Sequence, residues 1–241
     1  MTPSLPIGCV IAVLGAESTG KTELARALAQ RLNDRGIITT LIGEYLRERC
    51  NREGRTPRPD EQATIADEQT RRIDNAALHG VVVADTTALM TAVYSDMLFD
   101  DAALFGSALA AQRRCAITLL TALDLPWVAD GLQRDGPHVR EPVDARVRTA
   151  LGGANLPFTV VHGRGTERLA NAWNAINSIA ERAGGEDRNV RSGGSEADAG
   201  LAPSTWTWPC DKCSDPACER RLFSDLLAQR STPLTTSFSE S

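Results

Sequence analysis

The stretch Gly15-Ala16-Glu17-Ser18-Thr19-Gly20-Lys21-Thr22 decides how the rest of the chain is read. It fits G-x-x-x-x-G-K-[ST] at every fixed position. The apolar run Cys9–Leu14 precedes it, and the amphipathic stretch Thr22–Leu32 follows it. A strand, a glycine turn and a helix in that order form a cradle for a phosphate chain. The glycines let backbone N–H groups converge, and the helix N-terminus turns its positive dipole end toward the anion. Lys21 supplies a compact charge for the β- and γ-phosphates, and the Thr22 hydroxyl is a candidate Mg²⁺ ligand. The expected nucleotide-binding set is therefore Gly15, Glu17, Ser18, Thr19, Gly20, Lys21 and Thr22, with ATP and Mg²⁺ as cofactors.

Lysine is scarce in this sequence. Of 26 lysines and arginines, only Lys21 and Lys212 are lysine. The one in the phosphate loop stands where a mobile point charge suits the chemistry and a planar guanidinium does not.

Outward from the loop, apolar runs alternate with helical patterns. Ile37–Ile42, Val81–Val83, Ala116–Leu120 and Phe158–Val161 read as further strands. Asp60–Leu78, Thr86–Met97, Ala102–Arg114, Val143–Leu151 and Glu167–Arg182 read as helices. Continuous apolar strands separated by helices imply a parallel sheet covered on both faces. The expected fold is α/β, a doubly wound five-stranded parallel sheet of nucleoside-kinase-like P-loop type. It occupies residues 1–183. The Gly- and charge-rich segment 184–200 is expected to be a flexible linker. Residues 201–241 form a Trp- and Cys-containing tail, either largely disordered or a small metal-binding segment.

The 241 residues carry a formal net charge of −5 and no dense basic stripe, which argues against a nucleic-acid surface. No apolar run approaches the roughly 18–20 residues that span a bilayer. The N-terminus has no basic segment ahead of its apolar run and does not read as a signal peptide. Six cysteines without a secretory signal suggest reduced thiols in a cytoplasmic protein. Cys9 and Cys115 fall in apolar runs and are expected to be buried. Cys210, Cys213 and Cys218 have C-x2-C-x4-C spacing, which supplies three of the four ligands a closed zinc site requires.

The loop alone does not separate a kinase from an ATPase or a switch, so downstream residues must decide. Asp85 ends the Val81–Val83 run and can hold Mg²⁺ or cap the helix that follows. Glu44 ends the second strand. It can accept a proton beside the γ-phosphate or pair with Arg47 or Arg49. The cluster Asp124–Gly131 offers the flat face of Trp127 for an aromatic ligand and the carboxylate of Asp130 for hydroxyls. Trp127 can equally pack beneath the loop. Arg134, His138 and Arg140 then follow, either to close over the transferred phosphoryl group or as solvated charges.

The motifs GAESTGKTELARALA, GEYLRE, ADTTALMTAVYS and DLPWVADGLQRD, in that order, resemble the NadR-type ribosylnicotinamide kinase domain, a P-loop kinase related to AAA-like ATPase domains. The similarity runs over roughly Val10–Ala180. It implies a five-stranded P-loop kinase that transfers the ATP γ-phosphate to the 5′-hydroxyl of nicotinamide riboside in NAD biosynthesis. From the residues themselves, Lys21, Glu44, Asp85 and Arg140 are the expected catalytic set. Glu44, Tyr45, Trp127 and Asp130 are the expected substrate-binding set, with Trp127 near the pyridinium ring. Thr22 and Asp85 are the expected metal ligands.

The chain departs from the family pattern in lacking a preceding adenylyltransferase domain and a helix-turn-helix segment. Adenylyl transfer and DNA-bound regulation therefore drop out of the expectation. The DGLQRD motif also carries Gln133 before Arg134, where an arginine nearer the glycine is expected. The competing expectation is a P-loop ATPase or nucleotide-dependent regulator that uses its C-terminal tail to recruit a partner.

Overall fold

The computed structural model describes residues 2–127 and 137–190, with side chains described as far as residue 181. Among these residues five strands form one sheet: β1 Val10–Leu14, β2 Thr39–Ile42, β3 Val81–Asp85, β4 Ile117–Thr121 and β5 Thr159–Val161. Their order is β2-β3-β1-β4-β5 and every pairing is parallel. β1, β3 and β4 are buried along their whole length, which is why they read as unbroken apolar runs rather than alternating ones.

Among the described residues, seven α-helices accompany the sheet. They are α1 Lys21–Asp34, α2 Tyr45–Glu53, α3 Gln62–Ala77, α4 Ala88–Phe99, α5 Phe105–Gln112, α6 Arg140–Gly153 and α7 Gly165–Val190. On one face Ile11, Val13 and Val83 pack against Leu24, Leu28 and Leu32 of α1 and against Trp173 and Ile176 of α7. On the other, Leu14 and Leu120 meet Leu89 and Val93 of α4 and Val143, Val147 and Leu151 of α6. The two cores lie on opposite sides of one sheet, so the expected double winding is present.

The sequence reading missed α2 altogether. Its stretch, Tyr45-Leu46-Arg47-Glu48-Arg49-Cys50, buries only Cys50, so no apolar stripe announces it. Charge pairs hold it instead: Arg49 with Glu53 at 2.9 Å and Glu61 at 2.7 Å, and Glu48 with Arg72 of α3 at 2.6 Å. α6 begins at Arg140, earlier than the expected Val143, and α7 continues past Arg182. The Cys210, Cys213 and Cys218 cluster lies outside the described residues, as do Asp130 and Arg134.

All five strands run the same way, so their carboxyl ends share one edge. The glycine loop after β1, the turn after β2, Asp85 at the end of β3 and the loop after β4 all open there. In open α/β sheets this edge is where ligands bind.

Candidate active site

The glycine loop is built from strained backbone. Gly15 has φ +146°, Ser18 +54° and Gly20 +76°. Gly20 is the left-handed residue that opens α1, and no side chain caps that end. The N-terminal N–H groups of α1 are therefore aimed at the loop's hollow, which suits an anion.

Two threonines fix the loop to the sheet. Thr121, the last residue of β4, bonds through its hydroxyl to Leu14 carbonyl oxygen at 3.1 Å and to Thr19 Oγ1 at 2.6 Å. Thr19 in turn donates to Ala16 carbonyl oxygen at 2.7 Å. A Cβ on Gly15 would lie 2.0 Å from Thr121 Oγ1. Glycine is thus required there by contact as well as by backbone angle.

Lys21 is 8% exposed, and its Nζ donates to Ala16 carbonyl oxygen at 2.8 Å. The ammonium is folded back over the loop it would serve. Thr22 Oγ1 donates to Asp85 Oδ2 at 2.5 Å, and Asp85 is 3% exposed. Asp85 Oδ1 is buried with no hydrogen-bond partner. A buried carboxylate oxygen left open beside a hydroxyl is costly in apolar surroundings and suits a hard cation. Thr22 and Asp85 are therefore suited to hold Mg²⁺ together with phosphate oxygens. Capping of α4 falls to Thr87, whose hydroxyl accepts from Leu89 N–H, so Asp85 is not the helix cap.

Glu44 sits at the N-terminal boundary of α2, and its Oε2 lies 3.1 Å from Arg47 Nη2. The ion pair with Arg47, one of the two readings of this residue, is present. The register Ile42↔Ala84 carries Glu44 and Asp85 to the ends of adjacent strands. Arg72 lies over the Tyr45 ring at 4.4 Å.

After β4 the chain turns through Asp124, Leu125, Pro126 and Trp127. The indole Nε1 of Trp127 is buried without a hydrogen-bond partner. Arg140 opens α6 and is buried rather than solvated. Its Nη1 donates to Leu125 carbonyl oxygen at 2.8 Å, while Nε and Nη2 are buried without partners. A guanidinium with open donors is suited to receive an anion's oxygens. His138 is exposed.

The sequence reading missed Arg168, on the first turn of α7. It is 3% exposed, and its guanidinium bonds to three loops. Nη1 bonds to Thr19 carbonyl oxygen, Nη2 to the Asp124 carboxylate and, at 3.5 Å, to Ala122 carbonyl oxygen, and Nε to Gly163 carbonyl oxygen at 2.7 Å. Asp124 also accepts from Gly163 N–H at 2.7 Å. Burial pushes the Arg168 guanidinium down, and Asp124 opposes that shift. An arginine near the start of an amphipathic helix carries no signal of such a role. Beside it, Gly20, Leu24, Ala27, Leu125 and Leu169 line an open, largely apolar recess at the start of α1.

The sheet order, the glycine loop and the Thr22–Asp85 pair define a P-loop α/β protein. The chain belongs to an AAA domain family, whose profile matches residues 10–168. No curated protein matches it. Among solved structures, it is similar to NadR protein in complex with NR, at 20% identity and a TM-score of 0.57, covering 72% of this chain and 51% of that one. A second, NadR protein in complex with NAD and AMP-PNP, matches at 20% identity and a TM-score of 0.54, covering 73% and 50%. This chain spans about half the length of the NadR chains it matches. At that identity the likeness is one of fold. Among the described residues no helix is long and apolar enough to cross a membrane.

Proposed function

We propose that this chain is an ATP-dependent nucleoside kinase that phosphorylates the 5′-hydroxyl of nicotinamide riboside. The observation that carries the kinase reading is the open, buried Oδ1 of Asp85 beside Thr22, one strand away from the Glu44 carboxylate. A P-loop with a second carboxylate at its edge has a candidate base for an acceptor hydroxyl, which simple nucleotide binding does not require. The NR complex of the structurally similar NadR protein supports the choice of nucleoside, as does the Trp127 indole, whose face suits a cationic ring.

In this reading Lys21 leaves Ala16 carbonyl oxygen and meets the β- and γ-phosphates. Thr22 and Asp85 hold Mg²⁺, which when bound neutralises charge on the phosphates. Glu44 takes the proton of the 5′-hydroxyl, and Tyr45, Trp127 and Asp130 hold the nucleoside. The 5′-oxygen bonds to the γ-phosphorus as the bond from that phosphorus to the β–γ bridging oxygen breaks, releasing ADP. Arg140 brings its open donors to the transferred group. The recess beside Leu125 and Leu169 takes the base of ATP. With its thiols reduced, the protein works in the cytoplasm.

The test is a panel of nucleosides incubated with ATP and Mg²⁺, with product read by mass. Nicotinamide mononucleotide is expected. Turnover of a different nucleoside alone overturns the substrate, and hydrolysis of ATP without any acceptor overturns the kinase. Trp127→Ala is expected to raise KM for the nucleoside and leave ATP binding nearly intact.

A further inference from the structure

Gln69 sits mid-way along α3 on its buried face, between Ile65 and Ile73, and is 2% exposed. A primary amide there is out of keeping with an apolar stripe unless its polar atoms are used. Its oxygen and both of its N–H donors are directed at the sheet edge. Oε1 accepts from Tyr45 N–H at 2.8 Å. Nε2 donates to Gly43 carbonyl oxygen at 3.3 Å and to Thr86 carbonyl oxygen at 3.4 Å. One acceptor and two N–H donors thus serve three backbone groups.

Those three groups are not arbitrary. Gly43 and Tyr45 flank Glu44, and Thr86 follows Asp85. Thr86 is a β-branched residue at φ +73°, a strained conformation that must be held from outside. Its N–H is held by Val13 carbonyl oxygen at 3.1 Å and its carbonyl oxygen by Gln69. The turn after β2 and the turn after β3 are therefore locked to each other through a single side chain that belongs to neither.

We infer that Gln69 is a positioning residue that fixes the Glu44 carboxylate relative to Asp85 and so sets the alignment of the acceptor hydroxyl with the γ-phosphate. The catalytic part of this rests on the kinase reading above. The hydrogen bonds of Gln69 go to the turns after β2 and β3, whereas Lys21 and Thr19 are held by Ala16, Thr121 and Arg168. Its loss is therefore expected to act on turnover and not on ATP binding.

The experiment compares Gln69→Leu, which removes all three bonds, with Gln69→Glu, which keeps the acceptor for Tyr45 N–H but sets a carboxylate against two carbonyls. Both are expected to lower kcat by about 100-fold, the scale of a small misplacement of reacting groups. KM for ATP should stay within about twofold. Deuterium uptake at Tyr45 is expected to rise in Gln69→Leu and to stay near wild type in Gln69→Glu. A lowered melting temperature with unchanged kcat in folded Gln69→Leu makes Gln69 a core residue only and overturns the inference. So does unchanged uptake at Tyr45 in that variant. If the wild-type chain phosphorylates no nucleoside, it is the kinase reading that fails. The exchange measurement then still decides whether Gln69 fixes the Glu44 segment.

Discussion

Thr22 Oγ1 donates to Asp85 Oδ2 at 2.5 Å, tying the first turn of α1 to the end of β3 and leaving Asp85 Oδ1 buried and open. That geometry makes Asp85 the carboxylate most exposed to substitution effects through a metal. Asp85→Asn keeps the shape and removes the charge. It is expected to raise the Mg²⁺ concentration for half-maximal rate by at least about 10–100-fold, the cost of disturbing even the groups that support a metal's ligands. The measurement is ATPase or kinase rate against Mg²⁺ concentration. An unshifted Mg²⁺ midpoint would mean that Asp85 serves only to hold Thr22.

Lys21 lies over Ala16 carbonyl oxygen, and its task in the proposed reaction is at the phosphates rather than in the core. Lys21→Ala is expected to cost about 10²–10³-fold in kcat, as for loss of one group that stabilises transition-state charge. The melting temperature should move little. Lys21→Arg is expected to fail nearly as badly, because a planar fork does not fit a slot shaped for a point charge. Full activity in the arginine variant would falsify this account of why lysine stands there.

Gly15→Ala is expected to destabilise the protein outright. The new methyl meets Thr121 Oγ1 at 2.0 Å and Thr121 Cβ at 3.3 Å, at a φ of +146° that L-residues avoid. Backbone strain alone contributes about 1–3 kcal/mol, before any overlap is counted. The double variant Gly15→Ala with Thr121→Ala should lose less in a thermal melt than the sum of the two single variants, since it removes the overlapping hydroxyl while the strain, the Thr19 Oγ1 contact at 3.1 Å and the loss of Thr121's own bonds remain. Losses that simply add would show that the contact with Thr121 does not set the requirement.

Arg168 is a single side chain on which three loops depend. Arg168→Met is expected to lower the melting temperature and to raise the Kd for ATP. The phosphate loop loses its tie at Thr19 and the Asp124 carboxylate loses its cation. Lysine is not an adequate substitute, because three donors on a flexible stem do not reproduce a fork aimed at several oxygens. Titration of ATP against Arg168→Lys checks this. Wild-type affinity there would reduce Arg168 to a charge partner of Asp124.

The parts of this fold that bury apolar surface in a regular pattern were readable in the chain. β1, β3 and β4 show as apolar runs, and α1 shows its stripe of Leu24, Leu28 and Leu32. The glycine loop was readable because its chemistry needs particular residues at fixed spacing. α2 was not, because charge pairs and not an apolar face stabilise it. Arg168 and Thr121 were not, because their partners lie in distant segments: Thr121 bonds to Leu14 and Thr19, and Arg168 to Thr19, Ala122 and Asp124. Gln69 did carry a signal, as a polar residue four positions from Ile65 and from Ile73 on one helical face. The sequence shows that such a residue needs partners. It does not show that they flank Glu44.

The charge pairing around α2 and α3 has a pH dependence with a definite sign. The Glu61 carboxyl is held down at about 2, first by its side-chain bonds from Arg55 and then by Arg58 N–H. Arg71, and then Arg72, hold Glu68 down at about 2 as well. A carboxylate whose folded pKa lies below its unfolded value of about 4.3 contributes stability that is fully present above that value. The contribution is lost as pH falls from there toward 2. Both side chains are partly exposed, so added salt should shrink the effect. Because α2 buries only Cys50, acidification should loosen α2 and the start of α3 before it unfolds the sheet. Amide exchange at pH 6 and pH 3, with each rate divided by the intrinsic rate at that pH, is expected to show lower protection across 45–62 at pH 3 with β1 and β3 still protected. Glu61→Gln should already show lower protection at pH 6 and lose less on acidification. An acid response in Glu61→Gln equal to that of the wild type would assign the effect to other carboxylates.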